Sequence, residues 1–207
     1  SQFRVVVRNT RPVANAGPDQ VLFRTSPAGA SVTLDGTGST DAENNIVEYA
    51  WFKLMGPGNP PQLLGTGSTL TIVLPMGFHN IELRVRDAGG LAHTDFVTIH
   101  AKNVLPVANA GPDQTLECVA GGVIATLTGS GTDLDGTIVS YKWFGLGNPA
   151  GVPGQSVQTF PMFIGDRQFR LEVTDNNGAR AIQARKLQLN LGNDNTNKTP
   201  DTRAASQ

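Results

Sequence analysis

Two carboxylates lie close together in the short acidic segment Asp133-Leu134-Asp135-Gly136. The glycine permits a tight chain reversal, and a turn of this kind can direct both carboxylates towards one point. Because calcium prefers several oxygen ligands at ~2.3–2.6 Å, the chemistry that this spacing could support is calcium binding. The alternative is that the side chains accept hydrogen bonds from nearby main-chain amides and shape the turn without a metal.

The residue types that catalysis uses are present, but they lack the spacing that it requires. His79, His93 and His100 have no metal-ligand spacing with one another, and no Gly-x-Ser-x-Gly segment occurs. Cys118 is the single cysteine, so no disulfide can form within the chain. It is predicted to be a small buried apolar residue, and the alternative is a thiol that pairs outside this segment. The sequence therefore predicts that the protein is not an enzyme.

The bulk composition limits the classes of partner. The chain has 207 residues and a formal net charge of −1. A near-neutral chain has no broad basic field, which argues against nucleic acid as a partner. No apolar stretch approaches the ~20 residues of a membrane-spanning helix, so membrane insertion is not expected. The 24 glycines and 13 prolines are spread between alternating segments, which indicates many turns that join short strands.

An internal repeat organises the chain. The nine residues 12–20, PVANAGPDQ, recur letter for letter at 106–114, and two further blocks around Trp51 and Trp143 and around 83–90 and 171–178 also match. Two copies of one domain are therefore predicted, at 10–101 and 104–192. Residues 1–9, in which Phe3, Val5 and Val7 alternate, resemble the last strand of the first copy and are expected to be a remnant of a preceding copy. Residues 193–207 are polar and are expected to be a linker or tail.

Apolar and polar residues alternate within each copy. This period of two is typical of strands with one buried face. In the first copy Val47, Tyr49 and Trp51 are predicted to point to the same face, and the other sets with this pattern are Ile81, Leu83, Val85; Val139, Tyr141, Trp143; and Phe169, Leu171, Val173. About seven short strands in ~90 residues predict an all-β fold of two tandem immunoglobulin-like antiparallel β-sandwiches.

The repeated blocks resemble the PKD (polycystic kidney disease) domain family. The resembling segments are PVANAGPDQ, the Leu-Asp-Gly-Thr-Gly-Ser-Thr-Asp stretch at 34–41 with its counterpart at 127–133, Ile-Val-x-Tyr-x-Trp, and Val-x-Asp-x-x-Gly. The resemblance covers about 180 of the 207 residues. It implies extracellular modules of adhesins, surface-layer proteins and secreted hydrolases, and hence a secreted or cell-surface location.

The resemblance also implies a set of calcium ligands. In some PKD-like domains of secreted proteases the site combines an Asn at the domain entrance, the Asp-x-Asp turn, and the Asp of Val-x-Asp-x-x-Gly. Carried over to this sequence, the ligands in the second copy are Asn103, Asp133, Asp135 and Asp175. In the first copy they are Asn9, Asp41, Glu43 and Asp87, where a Glu stands in place of the second Asp.

Two functions are compatible with these features. The first is a non-catalytic structural or adhesive spacer in a longer extracellular protein, stiffened by calcium, whose partners are other domains of the same parent chain. The second is an accessory module of a secreted hydrolase that binds surface polysaccharide or protein. It requires an exposed aromatic row, and most aromatic residues are expected at core-facing positions, Trp51 and Trp143 among them. Self-assembly through edge strands is a further expectation, since such edges can pair with other chains.

Overall fold

The computed structural model describes residues 8–118, 123–145, 147–154, 157–162 and 164–191. It divides into two units, Ser1–Val104 and Leu105–Gln207. Every regular element within the described ranges is a β-strand, and no helix there is long and apolar enough to cross a membrane. Phe3, Val5 and Val7 of the expected remnant strand and the expected tail at 193–207 lie outside the described residues.

The part of the first unit that the structure describes, residues 8–104, contains seven strands in two layers. The strands are β1 (Gln20–Phe23), β2 (Ala30–Asp35), β3 (Ile46–Lys53), β4 (Gln62–Thr66), β5 (Thr69–Leu74), β6 (Gly77–Asp87) and β7 (Ala92–Lys102). One sheet has the order β1-β7-β6-β3-β4, and the other pairs β2 with β5. Only the β1–β7 pairing is parallel among these strands. A sandwich of this kind is the predicted immunoglobulin-like fold.

The second unit repeats this plan. Its strands are β8 (Val107–Asn109), β9 (Gln114–Cys118), β10 (Val123–Thr128), β11 (Ser130–Thr132), β12 (Ile138–Gly145), β13 (Asn148–Gly154), β14 (Val157–Met162), β15 (Arg167–Asp175) and β16 (Arg180–Leu191). The five-stranded sheet has the order β13-β12-β15-β16-β9, and β10 pairs with β14. The all-β prediction of two immunoglobulin-like sandwiches is thereby confirmed.

The inward faces of the sheets form one core in each unit. Trp51 and Trp143 are the largest fully buried side chains, and they pack among residues that the alternation had assigned to the core: Ile81, Leu83 and Val85 in the first unit and Phe169, Leu171 and Val173 in the second. Burying each such side chain contributes roughly 1.5–3 kcal/mol. Cys118 is also buried, as predicted for a small apolar residue.

One part of the alternation prediction is wrong. Val47 and Val139 are both 61% exposed and do not share the face of the buried tryptophans. The register between paired strands shifts between Ile46 and Glu48, and again between Ile138 and Ser140. An extra residue of this kind forms a β-bulge, which turns the following side chains over. Ile46 and Ile138 therefore pack against the cores in place of the valines.

The repeated PVANAGPDQ segment has a structural role. The side-chain oxygen of Asn15 accepts a hydrogen bond from the amide of Gly17 at 2.9 Å, and Asn109 and Gly111 repeat this contact at the same distance. Both glycines have positive φ, 76° and 79°, a conformation that glycine adopts without strain. The aspartate of the segment also holds the neighbouring strand, since Asp19 accepts the amide hydrogen of Thr98 at 2.7 Å. This segment therefore fastens the chain to β7 in the first unit.

Candidate calcium-binding turns

Strand pairing brings two turns together at one end of each sandwich. Ile46 at the start of β3 lies opposite Asp87 at the end of β6, and Ile138 of β12 lies opposite Asp175 of β15. The acidic turn before β3 therefore lies beside the turn after β6, and the acidic turn before β12 lies beside the turn after β15. The topology itself places the predicted Asp-x-Asp region next to the predicted Asp of Val-x-Asp-x-x-Gly in both units.

In the second unit Asn176 ties these two turns to each other. Its main-chain amide donates to the oxygen of Thr137, and its side-chain oxygen accepts the amide hydrogen of Thr137, both at 2.9 Å. Asp175 closes its own turn, because its Oδ1 accepts amide hydrogens from Asn177 and Ala179 at 2.8 Å each. The sequence prediction missed Asn176, although its position directly after Asp175 is a signal for a side-chain hydrogen bond at a turn.

The carboxylate of Asp133 lacks hydrogen-bond donors. Both of its oxygens are buried, and neither receives a hydrogen bond of normal geometry. Burial raises the pKa of Asp133, and the carboxylates of Asp135 and Asp175 raise it further, with a partial offset from the main chain of Asp135. A buried carboxylate without donors is costly to keep ionised. Negative charge is therefore concentrated around Asp133. The chain's own hydrogen-bond donors compensate little of it.

The surroundings of Asp133 leave little spare room. A Cβ placed on Gly136 would lie 2.5 Å from Oδ2 of Asp133 and 2.1 Å from Oδ1 of Asn176. Asp135 is fully buried. Within the described ranges no group of three or more His, Cys, Asp or Glu side chains is placed so that it could hold a metal ion, so binding of a cation here requires the side chains to rearrange. The charges of Asp135 and Asp175 nevertheless both act on Asp133. Their oxygens have the chemistry that calcium prefers.

Asn103, the fourth ligand implied for the second copy, belongs to the first unit. Its Nδ2 donates to the main-chain oxygen of Val104 at 2.8 Å. Its role as a calcium ligand stays a prediction.

The corresponding residues of the first unit are held by hydrogen bonds within the chain. Nδ2 of Asn9 donates to Oδ2 of Asp87 at 2.9 Å, and Oδ1 of Asp87 accepts the amide hydrogen of Leu91 at 2.9 Å. Oδ2 of Asp41 accepts amide hydrogens from Glu43 and Asn45 at 3.2 Å each, whereas its Oδ1 is buried without a donor. Asn9 and Asp87 therefore meet directly, whereas Asp41 binds main-chain amides of its own turn.

Glu43 lies at the exposed edge of this network. Its carboxylate accepts hydrogen bonds from the main-chain amide of Thr10, at 3.3 Å, and from the Thr10 hydroxyl. Thr10 was not among the predicted site residues. In the first unit the acidic side chains thus accept hydrogen bonds that shape the turn.

Replacing Asp87 by Ala is expected to lower the free energy of unfolding of the first unit by about 2 kcal/mol, with or without calcium. The variant removes a buried acceptor of two hydrogen bonds, one of them from the Asn9 side chain. Urea denaturation in calcium and in chelator measures the effect. Glu43→Ala is the matched control, and because Glu43 is exposed it should change stability by less than about 0.5 kcal/mol. Wild-type stability for Asp87→Ala would contradict this interpretation.

The comparisons with known proteins agree with the fold. No protein-family model matches the chain. The chain is 35% identical over 193 residues to the mouse dyslexia-associated protein KIAA0319 homolog. The alignment covers 87% of this chain and 17% of the relative. It is 27% identical over 198 residues to the pre-pro-metalloprotease PrtV of Vibrio cholerae, covering 90% of this chain and 18% of PrtV. The chain therefore spans about one sixth of the length of these curated relatives.

Among solved structures, the titin domains Z1Z2 in complex with telethonin superpose with a TM-score of 0.50 at 13% identity, covering 90% of this chain and all of that one. This likeness shows the immunoglobulin-like β-sandwich fold. KIAA0319 proteins contain PKD domains and are cell-surface proteins, which confirms the predicted secreted or cell-surface location. The repeated blocks, the sandwich topology and these relatives together show that the chain is built of PKD-type immunoglobulin-like β-sandwich domains.

Proposed function

We propose that this chain is a non-catalytic structural module of a longer extracellular protein, and that calcium binds to its second unit through Asp133, Asp135 and Asp175. The observation that carries the proposal is the state of Asp133, whose two buried oxygens receive no hydrogen bond of normal geometry. A divalent cation would compensate this charge, which no group of the chain does in full. Calcium would thereby stabilise the native second unit.

The contrast between the two units supports the same proposal. In the first unit the Asn9 amide group donates to Asp87, and the carboxylate of Glu43, not a second Asp, is bound by Thr10. In the second unit the second acidic position is Asp135, which is fully buried. Burial raises the pKa of Asp133, and the shorter side chain of Asp135, which lies close to it, raises it further. Calcium should therefore favour the second unit over the first.

Isothermal titration of the chain with calcium tests the proposal. We expect binding with a Kd of about 0.1–1 mM, the range of extracellular calcium modules, and its loss in Asp133→Asn. Asp41→Asn, the counterpart in the first unit, should retain binding. Magnesium should bind more weakly, because it requires a stricter octahedral geometry. Absence of calcium binding at millimolar concentration, or wild-type binding by Asp133→Asn, would refute calcium binding at this turn.

A second candidate function is an accessory module of a secreted hydrolase. The similarity to the metalloprotease PrtV over 90% of this chain favours it. The test is co-sedimentation of the chain with insoluble collagen, chitin and cellulose. Saturable binding to one of these would favour the accessory role, and its absence from all three would favour the structural module.

A further inference from the structure

The outer face of the five-stranded sheet in the first unit is unusually apolar. Five side chains on this side of β1, β4, β6 and β7 are more than half exposed: Val21 at 60%, Phe23 at 61%, Leu63 at 56%, Phe78 at 72% and Phe96 at 57%. We refer to these five residues as the apolar face. Three phenylalanines thus point to solvent, contrary to the expectation that most aromatic residues would lie in the core.

Strand register arranges these side chains in two rows, with the polar pair Asn80 and Thr98 between them. Val21 lies opposite His100, which in turn lies opposite Phe78. The rings of Phe78 and His100 stack with their centroids 3.8 Å apart and an interplanar angle of 17°. These residues therefore form one row across three neighbouring strands.

A second row crosses the same sheet. Phe96 lies opposite Glu82, Glu82 opposite Phe52, and Phe52 opposite Leu63. The guanidinium of Arg84 covers the ring of Phe52 at 4.3 Å from its centroid. Phe52 is thus partly shielded, whereas Phe96 and Leu63 at the ends of the row are open.

The sandwich itself does not require these apolar side chains. At the corresponding positions of the second unit, set by the same strand register, stand Thr115 for Val21, Glu117 for Phe23, Asp166 for Phe78 and Ala184 for Phe96. These four residues are exposed as well. Because one copy folds with a polar or small residue at four of the five positions, the apolar side chains of the other copy serve a purpose other than folding.

The size of the apolar face suits a protein contact. A buried aromatic side chain contributes about 150–250 Å², so three half-open phenylalanines with Val21 and Leu63 expose roughly 400–600 Å² of apolar surface. Contiguous patches of this size mark interaction sites. With a polar rim they reach the ~800 Å² per partner of a standard interface.

The chemistry of the face favours a second copy of the same chain. Val21 and Leu63 have neither a π-face nor a hydrogen-bonding group, which disfavours a polysaccharide. Four charges on this face form ion pairs within it, since Arg84 binds Glu82 at 2.8 Å and Arg86 binds Glu48. Two such faces can therefore stack with these charges already compensated, while Lys102, opposite Phe23, lies at the margin. Sheets packed face to face at ~10 Å already form the core of each unit.

We propose that the apolar face mediates a symmetric homodimer, in which the five-stranded sheets of two first units pack face to face. In a two-fold arrangement the same patch serves both copies, so a self-complementary apolar surface is sufficient. The contact uses the open face of the sheet, whereas the self-assembly expected from the sequence would use the edge strands. It is independent of calcium, because none of the proposed calcium ligands belongs to the apolar face.

Sedimentation velocity of the chain in chelator, from about 5 to 500 µM, tests the proposal. The wild type should shift from monomer to dimer over this range, whereas Phe78→Asp and Phe23→Glu should each raise the dissociation constant at least tenfold. Both replacements carry the residue that the second unit has at the same position, so the fold tolerates them. Val73→Thr is the control, since Val73 is 55% exposed on β5, in the other sheet, and it should dimerise as the wild type does.

Two results would overturn the proposal. A wild type that stays monomeric throughout the range would show that the face has a different occupant. A dimer that persists unchanged in Phe78→Asp and Phe23→Glu would place the contact elsewhere, for example at an edge strand. Circular dichroism of each variant verifies that the sandwiches are folded.

Discussion

Replacing Asp133 by Asn is expected to stabilise the calcium-free second unit and, in the same variant, to abolish its stabilisation by calcium. The replacement removes a carboxylate whose pKa is raised by burial and by the neighbouring charges of Asp135 and Asp175. The gain without calcium should be about 1 kcal/mol. In wild type, calcium at ten to a hundred times its Kd should add about 1.4–2.7 kcal/mol. A residue that only shaped the turn would show neither effect.

The two tryptophans allow each unit to be followed separately. Each unit buries one of them, Trp51 or Trp143, so a Trp51→Phe background reports the second unit by fluorescence and Trp143→Phe reports the first. In the Trp51→Phe background, calcium should raise the melting temperature by about 5–10 °C. Asp41→Asn is the matched control and should leave this shift unchanged. An equal calcium shift in Asp133→Asn would contradict the assignment.

The same residue predicts a pH dependence. Because the pKa of Asp133 is raised in the folded state, the folded chain binds a proton at a higher pH than the unfolded chain does. The calcium-free second unit should therefore gain stability as the pH falls from neutral towards the ordinary aspartate range. Asp133→Asn should remove this contribution, and saturating calcium should oppose it, since the ligand must be deprotonated.

The second large effect concerns a charge in the core. Arg185 occupies the inward position on β16 that Val97 holds on β7, and both are buried, at 3% and 1% exposure. Nη1 of Arg185 donates to the main-chain oxygen of Ala110 at 3.1 Å, but its Nε and Nη2 have no hydrogen-bond partner. Burial lowers the pKa of Arg185, with a partial offset from Asp113. We therefore expect the guanidinium to destabilise the second unit.

Exchanging these two residues should have opposite effects on the two units. Arg185→Val should raise the free energy of unfolding of the second unit by about 1–3 kcal/mol, even though one hydrogen bond is lost. Val97→Arg should lower that of the first unit by about 3–5 kcal/mol, because it buries a charge without a partner. Urea denaturation of the single-tryptophan variants measures both. Loss of stability in Arg185→Val would show that the buried arginine stabilises its unit.

The strands were largely predictable from sequence because alternation directly reports which face is buried. Ile81, Leu83 and Val85 are fully buried as predicted. Val47 was not predictable in this way, since a β-bulge reverses the face without changing residue types. The exposed Phe78 was missed for a related reason. Aromatic residues at strand positions are usually assigned to the core, and only the register shows which side is open.

The residues of the candidate site were predictable from the sequence, but their hydrogen bonds and their burial were not. Sequence matching identified Asp87 and Asp175 as equivalent. It could not show that the side chain of Asn9 donates to Asp87, or that both oxygens of Asp133 are buried without donors. These differences depend on atomic distances between segments that are remote in sequence. The burial of Arg185 was not predictable from its residue type, because it follows from the position of this residue on the inward side of β16.

The two copies differ at one turn, and we propose that calcium compensates its charge in the second copy while hydrogen bonds stabilise it in the first. Amide chemical shifts of the uniformly labelled chain during calcium titration test this difference most directly. We expect saturable shifts at 133–137 and 175–179, with 41–45 and 87–91 nearly unchanged. Equal shifts in both sets, or none in the second unit, would contradict it.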